Sequence, residues 1–367
     1  MLCNKSPTNT NLNIKKVIHL TAPQLSAEHI KEKIICIRAH RERIFEVSAH
    51  IQDNKLICHN YGQGGAGWTF LFGCVNESIR QFEQKLLEFP QFNNKPIAII
   101  GAGCYGLLTA IILARKGHSV RIIAKEIDNP ASYKAAGFFF PRARKCSTPQ
   151  EISIFQTLGL ESYKTYMQII AGEHPFIKQG PKLLPAYYSP DIDPGFTPYI
   201  AQGLIDAPEK VTITFNQEKQ YKVLQYKTVF IHAEKIMAEL KKTATELTIP
   251  LIKAEIDNLN DIPESIIFNC AGLGAKKLTN DKRIVPVQGH LITLQNQVHL
   301  DQLQYMLNVK VTMTNSSGKS RDELIYFAPK ESGILGITFI RGEDSLTANQ
   351  HEFDRILQRC HDYFGYL

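Results

Sequence analysis

No two of the eight cysteines stand within four residues of each other, so the chain offers no CxxC pair for a metal or a redox couple. The twelve histidines are scattered too, and no metal is expected. Isolated thiols suit a reducing compartment, which makes the cytoplasm the expected location. The opening MLCNKSPTNTNLNIKK lacks the apolar centre of a signal peptide. No run of Lys and Arg turns the net charge of +7 into a nucleic-acid footprint, and no nucleic-acid partner is expected. The charge instead suits acidic small ligands or phosphates. Only 97–114 approaches the length of a membrane span, and Gly101, Gly103 and Gly106 break its first half, so no membrane association is expected. Glycine (23) and proline (18) are too few for a collagen-like or low-complexity chain. What is there is a globular balance, 44% hydrophobic and 21% charged over 367 residues, enough for two ordinary domains.

Along the chain, 1–24 is polar and reads as a loosely attached extension. Apolar residues alternate with charges around Arg38, Arg41 and Arg43, which is strand-like. A short apolar stretch, LICHN, leads into the glycine-rich YGQGGAGW, and the spacing of Phe70, Cys74, Ile79, Phe82 and Leu86 predicts a helix over 69–87. FPQFNNKP (89–96) reads as a linker. The pattern is then α/β. PIAIIGAG is a buried strand entering a glycine turn, LLTAIILARKG a helix closed by Gly117, and 119–124 a second strand. Helices are expected near 150–171 and at 231–247, a mixed region at 175–228, and strands in IPLIKAEI, SIIFNCAG and 284–340. Phe353, Ile356, Leu357, Cys360 and Phe364 recur at helical spacing, so the chain ends in an amphipathic helix.

Three segments carry chemistry. In Gly101-Ala102-Gly103-x-x-Gly106 the first glycine permits a tight turn, the second lets a pyrophosphate approach the backbone, and the third lets helix and strand pack closely. The helix N-terminus then presents free N–H groups to phosphate. Glu126 ends the second strand, twenty residues after Gly106, where a carboxylate accepts hydrogen bonds from a ribose. Lys125 beside it either shields phosphate or solvates the sheet edge. Gly64, Gly65, Ala66, Gly67, Trp68 and Thr69 form a second glycine-rich entry to a helix, and two such sites suggest one large cofactor with two polar ends. In IIFNCAGLGAKKL (266–278) a buried strand ends in Cys270, Ala271 and Gly272; nothing there projects, so either a cofactor passes over it or it is an ordinary strand-to-helix turn.

These segments resemble the D-amino-acid oxidase branch of the FAD-dependent oxidoreductases. IAIIGAGCYGLLTA is similar to that family's FAD fingerprint, and AAGFFFP, with Ala136 and Gly137, to the segment that runs beside FAD. IIFNCAGLGAKKL and VPVQGHLITL resemble its later cofactor stretches, and LIYFAPKESGILGITFIRGE its substrate-domain strands. The stretch from CIRAHR to LFGC (36–74) resembles the end of that family but stands here near the beginning. The resemblance therefore implies an α/β chain with a glutathione-reductase-like Rossmann FAD-binding domain and a mixed-sheet α+β substrate domain, in circularly permuted order. The implied division is an extension (1–24), a permuted segment (25–90), an FAD-binding core (91–145), a substrate-domain part (146–230), a further FAD-binding part (231–283), substrate-domain strands (284–349) and a terminal helix (350–367). Within the permuted segment, 30–50 is the substrate-binding strand and 56–88 the flavin-contacting loop and helix. If the order is permuted, 56–75 must lie beside 97–106 in one site.

The activity implied is oxidation of the Cα–N bond of an amino acid by hydride transfer to FAD, with O2 as acceptor and a small amino acid or amine as substrate. Arg38 falls on the arginine that grips the substrate carboxylate, Tyr326 on the tyrosine that assists it, and Gly65 on the backbone carbonyl that takes the amine. A guanidinium suits that task because it forms two parallel bonds to one carboxylate. Arg41 is the competing candidate. The chain departs from the family at Asp322, where a second active-site tyrosine is usual, at Gln288 and His290, and at Ala39. Three readings therefore stand: a D-amino-acid oxidase, a related flavoenzyme acting on glycine, sarcosine or another secondary amine, and a non-catalytic flavin-binding protein. A homodimer is the assembly considered.

Overall fold

The computed structural model describes residues 16–142, 146, 148–215, 219–314, 318, 320–347 and 349–366. The first half runs through β1 (Val17–His19), β2 (Ile30–Arg41), β3 (Glu46–Gln52), β4 (Lys55–Tyr61), α1 (Gly67–Glu88), β5 (Ile97–Ile100), α2 (Cys104–Arg115), β6 (Val120–Ala124) and α3 (Pro149–Ile170). Next come β7 (Pro181–Tyr188), α4 (Thr197–Ala201), β8 (Glu209–Phe215), β9 (Lys219–Ile231), α5 (Ala233–Glu246), β10 (Leu251–Lys253) and β11 (Ile266–Asn269). The rest is α6 (Ala275–Thr279), β12 (Ile284–Leu294), β13 (Met306–Thr314), β14 (Ser320–Ala328), β15 (Ile334–Gly336), β16 (Ile340–Arg341) and α7 (Gln350–Phe364).

Two sheets result, and their composition explains their difference. The six-stranded sheet has the order β10-β6-β5-β11-β4-β3. Its first five strands are parallel, and β5 and β11 are buried at every residue, as expected of apolar runs covered on both faces. The strand β4 thus lies beside β11, which in turn pairs with β5. The ten-stranded sheet runs β1-β8-β9-β7-β13-β14-β15-β12-β16, with β2 also paired to β12. It is mostly antiparallel, and its strands alternate between two cores. Ile325, Phe327 and Val309 pack with Phe353, Ile356 and Phe364 of α7, whereas Tyr326, Met306 and Ala328 join the core shared with the first sheet. The chain is therefore α/β, with one largely parallel and one mixed sheet.

Helices meet where glycines permit it. A Cβ on Gly73 of α1 would collide with the Leu158 backbone of α3, and the Gly73 amide donates to Ser162 Oγ at 2.8 Å. The helix α3 starts at a proline, with Thr148 Oγ1 accepting from the Glu151 amide at 3.2 Å.

One expectation changes. The polar extension is docked over its described part. Val17–His19 pairs with β8, and the Thr21 carbonyl accepts from Tyr305 Oη at 2.7 Å. A three-residue edge strand is too short to leave a period in the sequence; residues 1–15 lie outside the described residues. The linker 89–96 connects α1 to β5, with Phe92 of its one-turn 3-10 helix buried. No helix among the described residues is long and apolar enough to cross a membrane.

Candidate functional site

The turn between β5 and α2 does what its glycines require. Gly101 has φ +106°, and an added Cβ would lie 2.5 Å from the Cys270 carbonyl oxygen. A Cβ on Gly106 would collide with the Gly101 carbonyl, so these two glycines let α2 sit against the sheet. Gly103 differs: the nearest atom to its Cβ position is Ser132 Oγ at 3.0 Å. That hydroxyl accepts from the Cys104 amide at 3.0 Å, at the first turn of α2, beside buried Ala102. A small polar cradle opens there.

Other glycine and alanine segments close around it. Cys270 and Ala271 border Gly101, and Gly272, with φ +58°, has nothing within 4 Å of its Cβ position. Ala136 is buried, and Gly137, with φ +97°, accepts at its carbonyl from Ile231 N at 2.7 Å. On the α1 side, Tyr105 Oη donates to the Gly67 carbonyl at 2.8 Å, and Trp68 Nε1 to the Ser132 carbonyl at 3.0 Å. Thr69 Oγ1 accepts from the Phe140 amide at 3.1 Å. Gly64–Ala66, a single 3-10 turn, precedes α1. Residues 67–68, 101–105, 132 and 270–271 are thus held together by these contacts, although they come from four separate parts of the chain. The small residues at the start of α2 fit the pyrophosphate of a dinucleotide.

Lys125 and Glu126 stand at the rim, both exposed. Lys125 pairs with Glu255 at 2.9 Å, so it solvates the sheet edge. Glu126 Oε1 accepts from the amides of Asn129 and Asp128 at 2.9 and 2.8 Å, and these bonds hold its carboxyl below the ordinary value.

Arg38 and Arg41 separate cleanly. Arg41 is enclosed, with Nε on Asp281 at 2.7 Å, Nη2 on Glu46 at 2.7 Å and Nη1 on the Ile44 carbonyl at 2.8 Å. Arg38 lies against glycines instead. A Cβ on Gly289 would collide with its guanidinium, and one on Gly65 would lie 3.3 Å from its Cδ. Its Nη1 donates to the Thr338 carbonyl at 3.1 Å, the Phe339 ring lies 4.9 Å away, and its buried Nη2 has no hydrogen-bond partner. A buried guanidinium nitrogen without an acceptor calls for an anion. Tyr326 is buried and stacks on Phe138 at 4.3 Å. Burial lifts its phenol well above the ordinary range, with the Arg38 charge pulling the other way, so the hydroxyl keeps its proton.

His290 is fully buried, and its Nδ1 lies 2.8 Å from Thr338 Oγ1. Gln288 donates to the Ser345 carbonyl at 2.6 Å. Asp322 is exposed and pairs with Lys310 at 2.7 Å. Ser132 and Thr338 escaped the sequence reading, because each sits in a loop with no spacing to mark it.

The sequence pattern of a family described as FAD dependent oxidoreductase matches residues 96–367, more than half of the chain. Among curated proteins, a D-amino-acid oxidase of Dictyostelium discoideum is 24% identical over 241 residues, covering 60% of this chain and 64% of that protein. One of Streptomyces coelicolor is 22% identical over 248 residues, covering 65% and 68%. The match thus spans less than two thirds of the first relative. Among solved structures, L-proline dehydrogenase from P. horikoshii aligns with a TM-score of 0.49 at 12% identity, covering 74% of this chain and 77% of that one. Iminodiacetate oxidase from Chelativorans sp. BNC1 aligns with a TM-score of 0.49 at 14% identity, covering 73% and 79%.

Proposed function

The chain belongs to the FAD dependent oxidoreductase family, and from that premise we propose that it oxidises the Cα–N bond of an amino acid, in the manner of a D-amino-acid oxidase. The observation that carries the reading is the buried, unpartnered Nη2 of Arg38 beside Gly65, Gly289 and Tyr326. Arg38 takes the substrate carboxylate in a two-point grip, and the protonated Tyr326 hydroxyl donates a second hold. The Gly65 carbonyl accepts from the substrate amine, which arrives neutral, so the chain needs no strong base. FAD, when bound there, would supply the acceptor for the hydride from the substrate carbon, with O2 as the final acceptor and water completing the imine's hydrolysis.

For the cofactor, Gly101, Ala102, Gly103 and Gly106 hold the pyrophosphate at the start of α2. Glu126, fixed by its two turn amides, takes the ribose. Ala136, Gly137, Cys270, Ala271 and Gly272 form the walls, and residues 64–69 cover the flavin end. Chain order is read as circularly permuted. The family match begins at residue 96, while β4 and α1, before it, complete the same sheet and cleft. Residues 25–90 are then the family's closing segment moved to the front. The described cysteines are free thiols, and we place the protein in the cytoplasm on that ground.

A screen of purified, flavin-loaded protein against D- and L-amino acids, glycine and sarcosine, read by H2O2 release, tests the proposal. Release with D-amino acids above all is expected. Release with sarcosine and glycine alone would move the assignment to a glycine- or sarcosine-type oxidase.

A further inference from the structure

The wall next to Arg38 holds a second unsatisfied feature. In the large sheet, Asn308 is paired in register with Tyr188 of β7 on one side and with Tyr326 of β14 on the other. Directly paired residues share a face, so these three side chains stand in a row. It is the face turned toward the core shared with the first sheet, on the Arg38 side: Tyr326 stacks on Phe138 at 4.3 Å, and Tyr188 on Phe140 at 5.9 Å. The alternating neighbours Leu307, Val309, Ile325 and Phe327 belong to the opposite core. Asn308 is therefore a carboxamide set in an aromatic wall, 7% exposed. Among the described residues its Oδ1 has no hydrogen-bond partner, and neither has the fully buried Tyr188 hydroxyl. Two such atoms side by side mark a place that a ligand completes.

Two residues further along the same strand face, the wall reaches solvent at Lys310. Its ammonium lies 2.7 Å from Asp322 and 3.1 Å from Asp191. Two carboxylates on one ammonium leave this rim one negative charge in excess. Adjacent strands are about 4.8 Å apart, so Asn308 stands about 5 Å and Tyr188 about 10 Å from Tyr326 along the sheet, a span that an extended five-atom side chain covers together with the hydrogen bond at its end.

We propose that Asn308 and Tyr188 form a side-chain subsite that selects an amino acid ending in a cationic, N–H-bearing group, with the Asp191–Lys310–Asp322 rim favouring that charge. The inference rests on the reading of Arg38 as the carboxylate end. Asn308 Oδ1 and the Tyr188 oxygen accept from the distal ammonium or guanidinium, while Arg38 and Tyr326 hold the other end.

D-Lysine and D-norleucine, nearly equal in shape and different in the distal charge, provide the test. In the wild-type holoenzyme the ratio of their kcat/KM values should favour lysine by at least about tenfold. Asn308→Leu should reduce that ratio by about ten- to a hundredfold, the effect of losing a hydrogen bond to a charged group. Asn308→Asp should raise it, and flavin content reports whether each variant is folded. A wild-type ratio at or below one, or a ratio that neither variant moves, overturns the inference. Calorimetric binding of both ligands separates the two claims. Equal binding of lysine and norleucine that is lost in Arg38→Ala leaves the carboxylate grip standing and rejects the subsite. Binding of neither ligand rejects both.

Discussion

At the scale of single residues, the two arginines show what a sequence leaves open. Arg38 and Arg41 stand three apart on one strand, so they face opposite sides of the sheet. Arg41 has near partners in Ile44 and Glu46, but the contact that encloses it, Asp281, and the one that Arg38 makes, Thr338, come from 240 and 300 residues away. No local pattern distinguishes a guanidinium that is already paired from one that awaits an anion. Arg41→Ala should therefore act on stability, because it strands Asp281 next to Tyr61; a denaturant midpoint well below wild type, with flavin-loaded activity near normal in the folded fraction, is the expected outcome. Buried histidines give a pH signature. Burial pushes His59 and His174 down to about 4, with His50 adding to the effect at His59 and Lys178 at His174. The unfolded chain binds protons at these sites below about 6.5, and the folded one refuses them until about 4. Stability is then full above about 6.5 and falls as the pH drops toward 4. Calorimetric Tm values from pH 7.5 to 4.5 should decline over that window, and His174→Gln should flatten part of the decline.

At the scale of elements, legibility followed locality. The β5–α2 turn was readable because its three glycines each answer a local demand: a Cβ on Gly101 or Gly106 would collide with backbone, and one on Gly103 would press on Ser132 Oγ at 3.0 Å. Gly103→Leu should abolish FAD retention, because a side chain there occupies the approach of the pyrophosphate; undiminished flavin absorbance in a folded variant would reject the cradle. The helix α1 begins at Gly67 rather than at 69, because Gly67 already has helical dihedrals, φ −52° and ψ −49°, directly after the 3-10 turn Gly64–Ala66. Its packing was not readable at all, since it depends on Leu158 and Ser162 of another helix. Gly73→Ala should destabilise the protein by about 1–3 kcal/mol by forcing α1 and α3 apart. A urea midpoint equal to wild type would contradict that contact.

At the scale of the whole molecule, the motifs were legible in any order because each is short and carries its own physical reason. That 56–75 lies near 97–106 was to be expected only through resemblance, and Tyr105 Oη on the Gly67 carbonyl is one contact between the two stretches. The docking of Val17–His19 against β8, a pairing with Thr212–Thr214 far along the chain, left no trace in composition. The central claim is that this assembly presents an amino acid to a bound flavin with its carboxylate on Arg38. Anaerobic mixing of the flavin-loaded protein with a D-amino acid tests it most directly, read as loss of the yellow absorbance. The account predicts bleaching in wild type, a loss of about 30- to several-thousand-fold in its efficiency in Arg38→Ala at unchanged flavin content, and only partial recovery in Arg38→Lys. Bleaching of Arg38→Ala at the wild-type rate, or bleaching of wild type by amines that lack a carboxylate as readily as by amino acids, would contradict it.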